Sequence, residues 1–291
     1  MDSMPLLECV PNLSEGRRPA VINRIVSAFE VPGVTLLDVH LDADHNRSVL
    51  TVAGHRRALV DAVIAATARA VEEIDLRSHS GVHPRMGAMD VVPFVPISGS
   101  EMAEAAVAAR EAAQRINSEL EVPCFLYGAA AQRQVSEQLP QVRREAFRTL
   151  TPDFGGTEPH ATAGATVVGA REILVAYNIN LDCPLEIAED IASEIRERDG
   201  GLAHLRAMGV RLNSRNLSQV SMNLIRPAET TVADAYDAVQ LSARERGVRI
   251  VEAELVGLAP RIALAGRDPY AVGLNSPPKT LEDELAKSFG G

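Results

Sequence analysis

His79, His83, Arg85 and Asp90 fall within the twelve residues His79-Ser80-Gly81-Val82-His83-Pro84-Arg85-Met86-Gly87-Ala88-Met89-Asp90. Imidazole is the side chain whose unperturbed pKa lies nearest neutrality, so either histidine suits general acid/base work. The four-residue spacing of His79 and His83 would serve a metal if it lay on a helix. Gly81 and Pro84 make a helix there unfavourable. An acid/base role therefore fits better, with Asp90 or a backbone carbonyl orienting the ring. Arg85 would hold an anion, because a guanidinium pairs with a carboxylate through two parallel bonds. Loops on a rigid scaffold are where chemistry concentrates. The bland alternative is a charged surface turn.

Two further stretches carry the residue types of a site. Asp38-Val39-His40-Leu41-Asp42-Ala43-Asp44-His45-Asn46-Arg47 holds three carboxylates and two imidazoles at the end of a strand. Such ligands suit zinc, manganese or iron, the chemistry of a metal-dependent hydrolase. The alternative is a polar turn shaped by Asp and Asn, and no helical His-Glu-x-x-His is present. The second stretch, Gly164-Ala165-Thr166-Val167-Val168-Gly169-Ala170-Arg171, joins glycines that admit close backbone approach to a cation. It is neither a P-loop nor a dinucleotide fingerprint, and alone it reads as a turn into a strand. No Gly-x-Ser-x-Gly and no cysteine nucleophile is apparent.

Hydrophobic periodicity supplies the elements that must position these residues. Strand patterns cover 6–10, 34–39, 48–53 and 91–97, with helices at 17–30 and 55–74 between them. Pro93 and Pro96 argue for an edge or irregular strand. Ser100 is placed to cap a helix reaching Leu120, followed by a strand at 122–127 and a polar helix at 135–147. The segment 151–164, rich in Gly, Pro and Thr, reads as the domain boundary. Beyond it come a strand at 173–179, a helix opened by Pro184 and stopped by Gly200-Gly201, strands at 208–212 and 217–224, a helix at 230–246 and a strand at 250–255. A short helix near 281–287 ends the pattern. The second half is β-α-β-β-α-β, the split βαβ plan, and the opening of the first half repeats it. The expected fold class is α/β (α+β): two related subdomains, each a sheet with helices on one face.

Composition narrows the classes. At 291 residues, 46% hydrophobic and 23% charged, the chain has an ordinary globular make-up. A net charge of −10 and a pI near 5.3 argue against broad nucleic-acid binding. Cys9, Cys124 and Cys183 sit in or beside apolar runs and read as buried thiols. No secretory signal pattern and no membrane-spanning run is visible, so a cytoplasmic protein is expected.

The blocks Cys9-Val10-Pro11-Asn12-Leu13-Ser14-Glu15-Gly16, Asn46-Arg47-Ser48-Val49 and His83-Pro84-Arg85-Met86-Gly87-Ala88-Met89-Asp90-Val91 resemble the formiminotransferases. The match is to the formiminotransferase part of formiminotransferase-cyclodeaminase. It continues through Gly164 to Arg171, Tyr177-Asn178-Ile179-Asn180-Leu181, Asn216-Leu217-Ser218-Gln219-Val220-Ser221 and Leu255-Val256-Gly257-Leu258, in matching order. The resemblance implies two ferredoxin-like subdomains with folate in a groove between them, here 1–165 with the catalytic loop and 166–291 on the folate side. It implies a homodimer that moves a formimino group between N-formimino-L-glutamate and tetrahydrofolate, a step of histidine degradation. Tetrahydrofolate would be a co-substrate, with no metal, and a separate cyclodeaminase would act downstream. The catalytic histidine falls on His83. The folate-contacting segment falls on Gly164, Ala165, Thr166, Val167, Val168, Gly169, Ala170, Arg171 and Glu172. Both substrates carry carboxylates, so Arg47, Arg85 and Arg171 are candidate counter-charges, and His45, Asn46 and Asp90 complete the expected substrate side. His40 stands near where the family pattern would place an acid. A folate-dependent formyl-group enzyme resembling 5-formyltetrahydrofolate cyclo-ligase, or a folate-binding protein without turnover, would share these motifs.

Overall fold

Strand pairing sorts the chain into two sheets. The computed structural model describes residues 5–82 and 84–289, and contacts divide the chain into two units, Met1–Glu172 and Ile173–Gly291. The expected boundary after residue 165 falls before this division. The reason is β7, which pairs into the first unit's sheet.

The first unit runs β1 (Leu6–Cys9), β2 (Asn12–Leu13), α1 (Pro19–Val26), β3 (Val34–Asp42), β4 (Arg47–Gly54), α2 (Arg56–Glu73), β5 (Met89–Ile97), α3 (Met102–Leu120), β6 (Cys124–Gly128), α4 (Leu139–Glu145) and β7 (Thr166–Ala170). β3 pairs β4, and β1 with its continuation β2 lies antiparallel between β4 and β5. β7 runs parallel to β5, and β6 parallel to β7. One sheet face meets the helices. Leu7, Cys9, Leu50, Val52, Val92 and Phe94 pack there with Ile25 of α1, Val63 of α2 and the alanine-rich stripe of α3.

The second unit follows as β8 (Val175–Asp182), α5 (Leu185–Ile195), β9 (Leu205–Leu212), β10 (Leu217–Leu224), α6 (Val232–Glu245), β11 (Arg249–Val256), α7 (Arg261–Leu264) and α8 (Leu281–Phe289). Its antiparallel order β11-β8-β10-β9 places the fourth strand beside the first, then the third and second. The same order runs through β5-β1-β4-β3 in the first unit. The element order read from sequence thus corresponds to one strand order used twice. None of the described helices is long and apolar enough to cross a membrane.

Three local expectations are corrected. β5 is interior despite its prolines. Pro93 lies opposite the break between β1 and β2, Pro96 lies beyond Phe94, the last β5 residue paired to β7, and the irregularity of the strand falls instead at Asp90, where the register with β2 shifts. Neither missing N–H therefore breaks a ladder bond. Ser100 does not cap α3: its hydroxyl donates to Leu6 O (2.7 Å) and accepts from Ile97 N (3.0 Å), tying the end of β5 to β1, and Glu101 takes the cap position. The polar helix expected at 135–147 is a short 3-10 turn followed by α4, because Pro140 suits a first helical turn but not a helix interior.

Candidate active site

The catalytic histidine expected from sequence, His83, lies outside the described residues, so the site is defined by what surrounds that position. β2 hands the chain to Ser14-Glu15-Gly16, which forms the floor. Ser14 Oγ donates to Gly87 O (2.7 Å) and Ser48 Oγ to Glu15 O (2.6 Å). Asn46, in a left-handed backbone conformation, accepts from Gly16 N through Oδ1 and donates to Ser80 O through Nδ2, both at 2.9 Å. It links the floor, the β3–β4 turn and the loop that precedes residue 83.

The loop is braced on both sides of position 83. Arg85 Nη2 donates to Gly81 O (2.5 Å), and Arg143 Nη1, reaching from α4, donates to Pro84 O (2.6 Å). Arg143 also pairs with Asp90, which is 2% exposed. The other Asp90 oxygen accepts from Met86 N (2.5 Å) and Gly87 N (3.3 Å). Arg47 opens β4 and is held among these charges. Burial pulls its guanidinium down to about 10, and Asp90 and Asp42 partly offset the effect. It remains a cation at neutral pH.

The expected substrate residues therefore assemble, but not all in the expected roles. Arg47, Arg85, His45, Asn46 and Asp90 come together around the loop. Asp90 spends its oxygens on Arg143 and loop amides, and Asn46 spends both ends of its amide on backbone. These two hold the loop rather than offer groups to a ligand. His45 is 5% exposed; its backbone amide donates to Asp42 Oδ1 (2.8 Å), with Asp42 Oδ2 3.7 Å from the ring.

The segment Gly164 to Glu172 divides in two. Gly164 bridges Gly87, and Ala165 N donates to Met86 O (2.9 Å), so the start of the segment backs the loop. A Cβ on Gly87 would lie 2.2 Å from Ala165 O. Gly164 takes φ +71°, and a Cβ there would lie 2.1 Å from Met86 O. From Thr166 to Ala170 the segment is β7, an interior strand with every side-chain position buried. Val168 and Ala170 join the helix-side core, while Ala165 and Val167 pack with Phe125 and Val142 on the other face. Arg171 and Glu172 emerge at the far end of β7, roughly 16 Å from Thr166 at ~3.3 Å per residue. There Arg171 acts on Glu8 and Tyr127, not on the Arg47–Arg85 group. Burial pushes the Glu8 carboxyl up to about 7, and the Arg171 charge pulls it part of the way back.

Among the described residues, no three His, Cys, Asp or Glu side chains are grouped to hold a metal ion. The 38–47 cluster runs from β3 through its turn into β4, and within it Asp42 and His45 meet, 3.7 Å apart. Cys9 and Cys124 are buried free thiols and Cys183 is half-buried. Burial pushes Cys9 and Cys124 up, away from thiolate. Arg143 was missed from sequence: it sits in a polar helix 53 residues from Asp90, and no local pattern marks it.

An α+β chain of two split βαβ units, with a braced loop among half-buried arginines, is the class that the fold and site define. The N-terminal subdomain model of the formiminotransferase domain matches residues 6–171, and the formiminotransferase domain model matches 176–275. A glutamate formimidoyltransferase of Streptococcus pyogenes is 42% identical over 89% of this chain and 90% of its own length. One of Thermoplasma acidophilum is 41% identical over 94% of each. The formimidoyltransferase-cyclodeaminase of Rattus norvegicus is 40% identical over 89% of this chain but 51% of its own length, so the chain spans about half of that bifunctional protein. The chain belongs to the formiminotransferase family.

Proposed function

We propose that the chain is a glutamate formimidoyltransferase, moving a formimino group between N-formimino-L-glutamate and tetrahydrofolate in histidine degradation and one-carbon metabolism. One observation carries the reading: 41–42% identity to curated glutamate formimidoyltransferases over 89–94% of the chain. The loop geometry is consistent with it. In the transfer a folate nitrogen attacks the formimino carbon and loses a proton as the new C–N bond forms. The bond to the glutamate nitrogen then breaks, and that nitrogen takes a proton. His83 is assigned to receive the first proton and return it, since imidazole is the side chain whose unperturbed pKa lies nearest neutrality, a contribution typically of ~10²–10⁴-fold.

In this reading Arg47 and Arg85 neutralise substrate carboxylates, and Arg171 neutralises a carboxylate at the other end of β7. Asp90, Asn46 and Arg143 are positioning residues that fix the backbone on each side of residue 83, as pre-organised catalysis requires. Gly164 and Ala165 approach the folate through backbone, while Thr166 to Ala170 support it from inside the sheet. The proposal includes a homodimer, a cytoplasmic location, no metal, and a separate cyclodeaminase to consume the formimino-folate.

The test is transfer from N-formimino-L-glutamate to tetrahydrofolate with purified protein, coupled to an added cyclodeaminase that yields an ultraviolet-absorbing methenyl-folate. We expect turnover in the parent and at least ~10²-fold less in His83→Ala, with folate binding retained. A fully active His83→Ala would refute the acid/base assignment. A parent that binds folate without turnover would favour the formyl-group or binding-protein alternative.

A further inference from the structure

Arg17 leaves the floor of the site one residue after Gly16, where the backbones are packed too closely for a side chain. A Cβ on Gly16 would lie 2.1 Å from Asp42 O and 2.6 Å from Arg47 N, so the floor runs directly against the β3–β4 turn. The Arg17 side chain crosses that turn, its Nε donating to Ala43 O (2.7 Å). On the loop side, a Cβ on Gly81 would lie 3.0 Å from Asn46 Cβ and 2.9 Å from Arg85 Nη2. Floor, turn and loop thus bring Arg17 toward Arg85, close enough for the two charges to act on each other. Burial lowers the Arg85 guanidinium, Asp90 raises it, and Arg17 lowers it further.

Arg17 differs from the other arginines nearby. Arg18 pairs with Glu15, Arg24 with Glu73 and Arg77 with Asp75. Among the described residues Arg17 has no ion pair, and its Nη1 and Nη2 make no hydrogen bond. The N-terminus of α1 is not an anion site beside it, because the Glu15 carboxylate already accepts from Arg17 N (2.8 Å) and Arg18 N (2.9 Å). Arg17 is exposed, and an exposed arginine ordinarily keeps many rotamers. The bond to Ala43 O anchors this one by Nε and leaves its two terminal nitrogens as an end-on fork, the geometry that takes a carboxylate through two parallel bonds. Holding it near a second cation costs repulsion that an anion would relieve.

We propose that Arg17 binds the side-chain carboxylate of the glutamate substrate and so sets the preference for a dicarboxylic amino acid. The inference rests on the formimino-transfer reading above. The substrate carries one carboxylate on the carbon that bears the reacting nitrogen and a second two methylene groups farther out. The cations are graded in the same order. Arg47 and Arg85 are half-buried around the loop, and Arg17 is exposed at its rim. The inner carboxylate falls to the first two, and the outer one reaches the fork of Arg17.

The experiment is steady-state transfer to tetrahydrofolate by the full chain, comparing N-formimino-L-glutamate with N-formimino-L-glutamine, which keeps the shape and replaces the outer carboxylate by a neutral amide. Arg17→Ala and Arg17→Gln should each raise the KM for formiminoglutamate ~5–20-fold, the scale of a charged hydrogen bond reduced by exposure to solvent. The KM for formiminoglutamine and the KM for tetrahydrofolate should stay within about twofold of the parent. The parent itself should show a KM ~5–20-fold higher for formiminoglutamine than for formiminoglutamate, a comparison needing no variant should either one fail to fold. An unchanged KM for formiminoglutamate in folded variants, or equal use of the two substrates by the parent, overturns the inference and leaves the transfer reading standing. An equal loss with both substrates would place Arg17 at the inner carboxylate, and a loss confined to tetrahydrofolate would place it at the folate tail; either overturns the inference. A parent that transfers from neither substrate would remove the transfer reading, and this inference with it.

Discussion

Replacing Glu8 with Gln should stabilise the protein at alkaline pH and leave it nearly unchanged in acid. Glu8 is 4% exposed in β1, on the sheet face away from the helices, and burial is the largest cause of its displacement from 4.5 to about 7. The folded state therefore holds this proton more tightly than the unfolded chain does. Between pH 4.5 and 7 the unfolded chain has released the proton and the folded one has kept it. Wild-type stability falls as pH rises through that window and levels off above it. At ~1.4 kcal/mol per pH unit the full effect is about 3 kcal/mol. Glu8→Gln keeps the shape and removes the ionisation, so its stability relative to wild type should climb from near zero at pH 4.5 to about 3 kcal/mol at pH 8. The chain has no Trp, so urea unfolding is best followed by far-ultraviolet circular dichroism. A difference between the two proteins that is the same at pH 5 and pH 8 would refute the reasoning. It would mean that Arg171 already compensates the ionised carboxylate.

Other perturbations test the braces of the loop and the segment behind it. Arg143→Met strands the Asp90 carboxylate inside the protein and should cost ~3–5 kcal/mol, while Asp90→Asn in the same chain should recover part of the stability; additive losses in thermal melts would argue against the pair. Gly87→Ala drives a methyl group to 2.2 Å from Ala165 O, so a drop in melting temperature is expected, and an unchanged melt would show that the loop and the 164–165 segment separate easily. Arg171→Ala should raise the KM for tetrahydrofolate more than it lowers kcat, and steady-state kinetics showing the reverse would remove Arg171 from carboxylate binding.

What the sequence made legible follows the range over which each signal acts. Helices and most strands were readable because period and caps are local; Thr231 and Asp234 even form a reciprocal capping box at the start of α6. β7 was readable only as a glycine-bearing turn into a strand, because its burial comes from β6 and β5, whose paired residues lie 42 and 76 positions earlier in the chain. Prolines misled at β5 for the same reason. A missing donor matters only where a neighbour needs it, and no local window shows the neighbour. The arginines and acids of the site were visible as types, but their division of labour was not. Asp90 looked like a ligand for substrate until Arg143 was seen to occupy it.

That division has a consequence for the catalytic loop. A loop bounded by Gly81 and Gly87 has many conformations to lose, and ordering each backbone residue costs about 1–2 kcal/mol. A substrate that had to supply that ordering would bind weakly. Here the protein supplies it beforehand through Arg85 to Gly81, Arg143 to Pro84 and Asp90 to Met86, placing fixed bonds on both sides of residue 83. Arg85 thereby spends a donor that a carboxylate clamp would otherwise use. In the proposed reading both loop-side cations act on substrate carboxylates, and Arg85 braces the loop as well. Lysine at position 47 should keep the charge but lose the bidentate geometry, raising KM with little change in the thermal melt, whereas lysine at position 85 should lower kcat by loosening the loop. Steady-state kinetics on the two variants would separate the roles, and identical effects would show that both arginines do the same work.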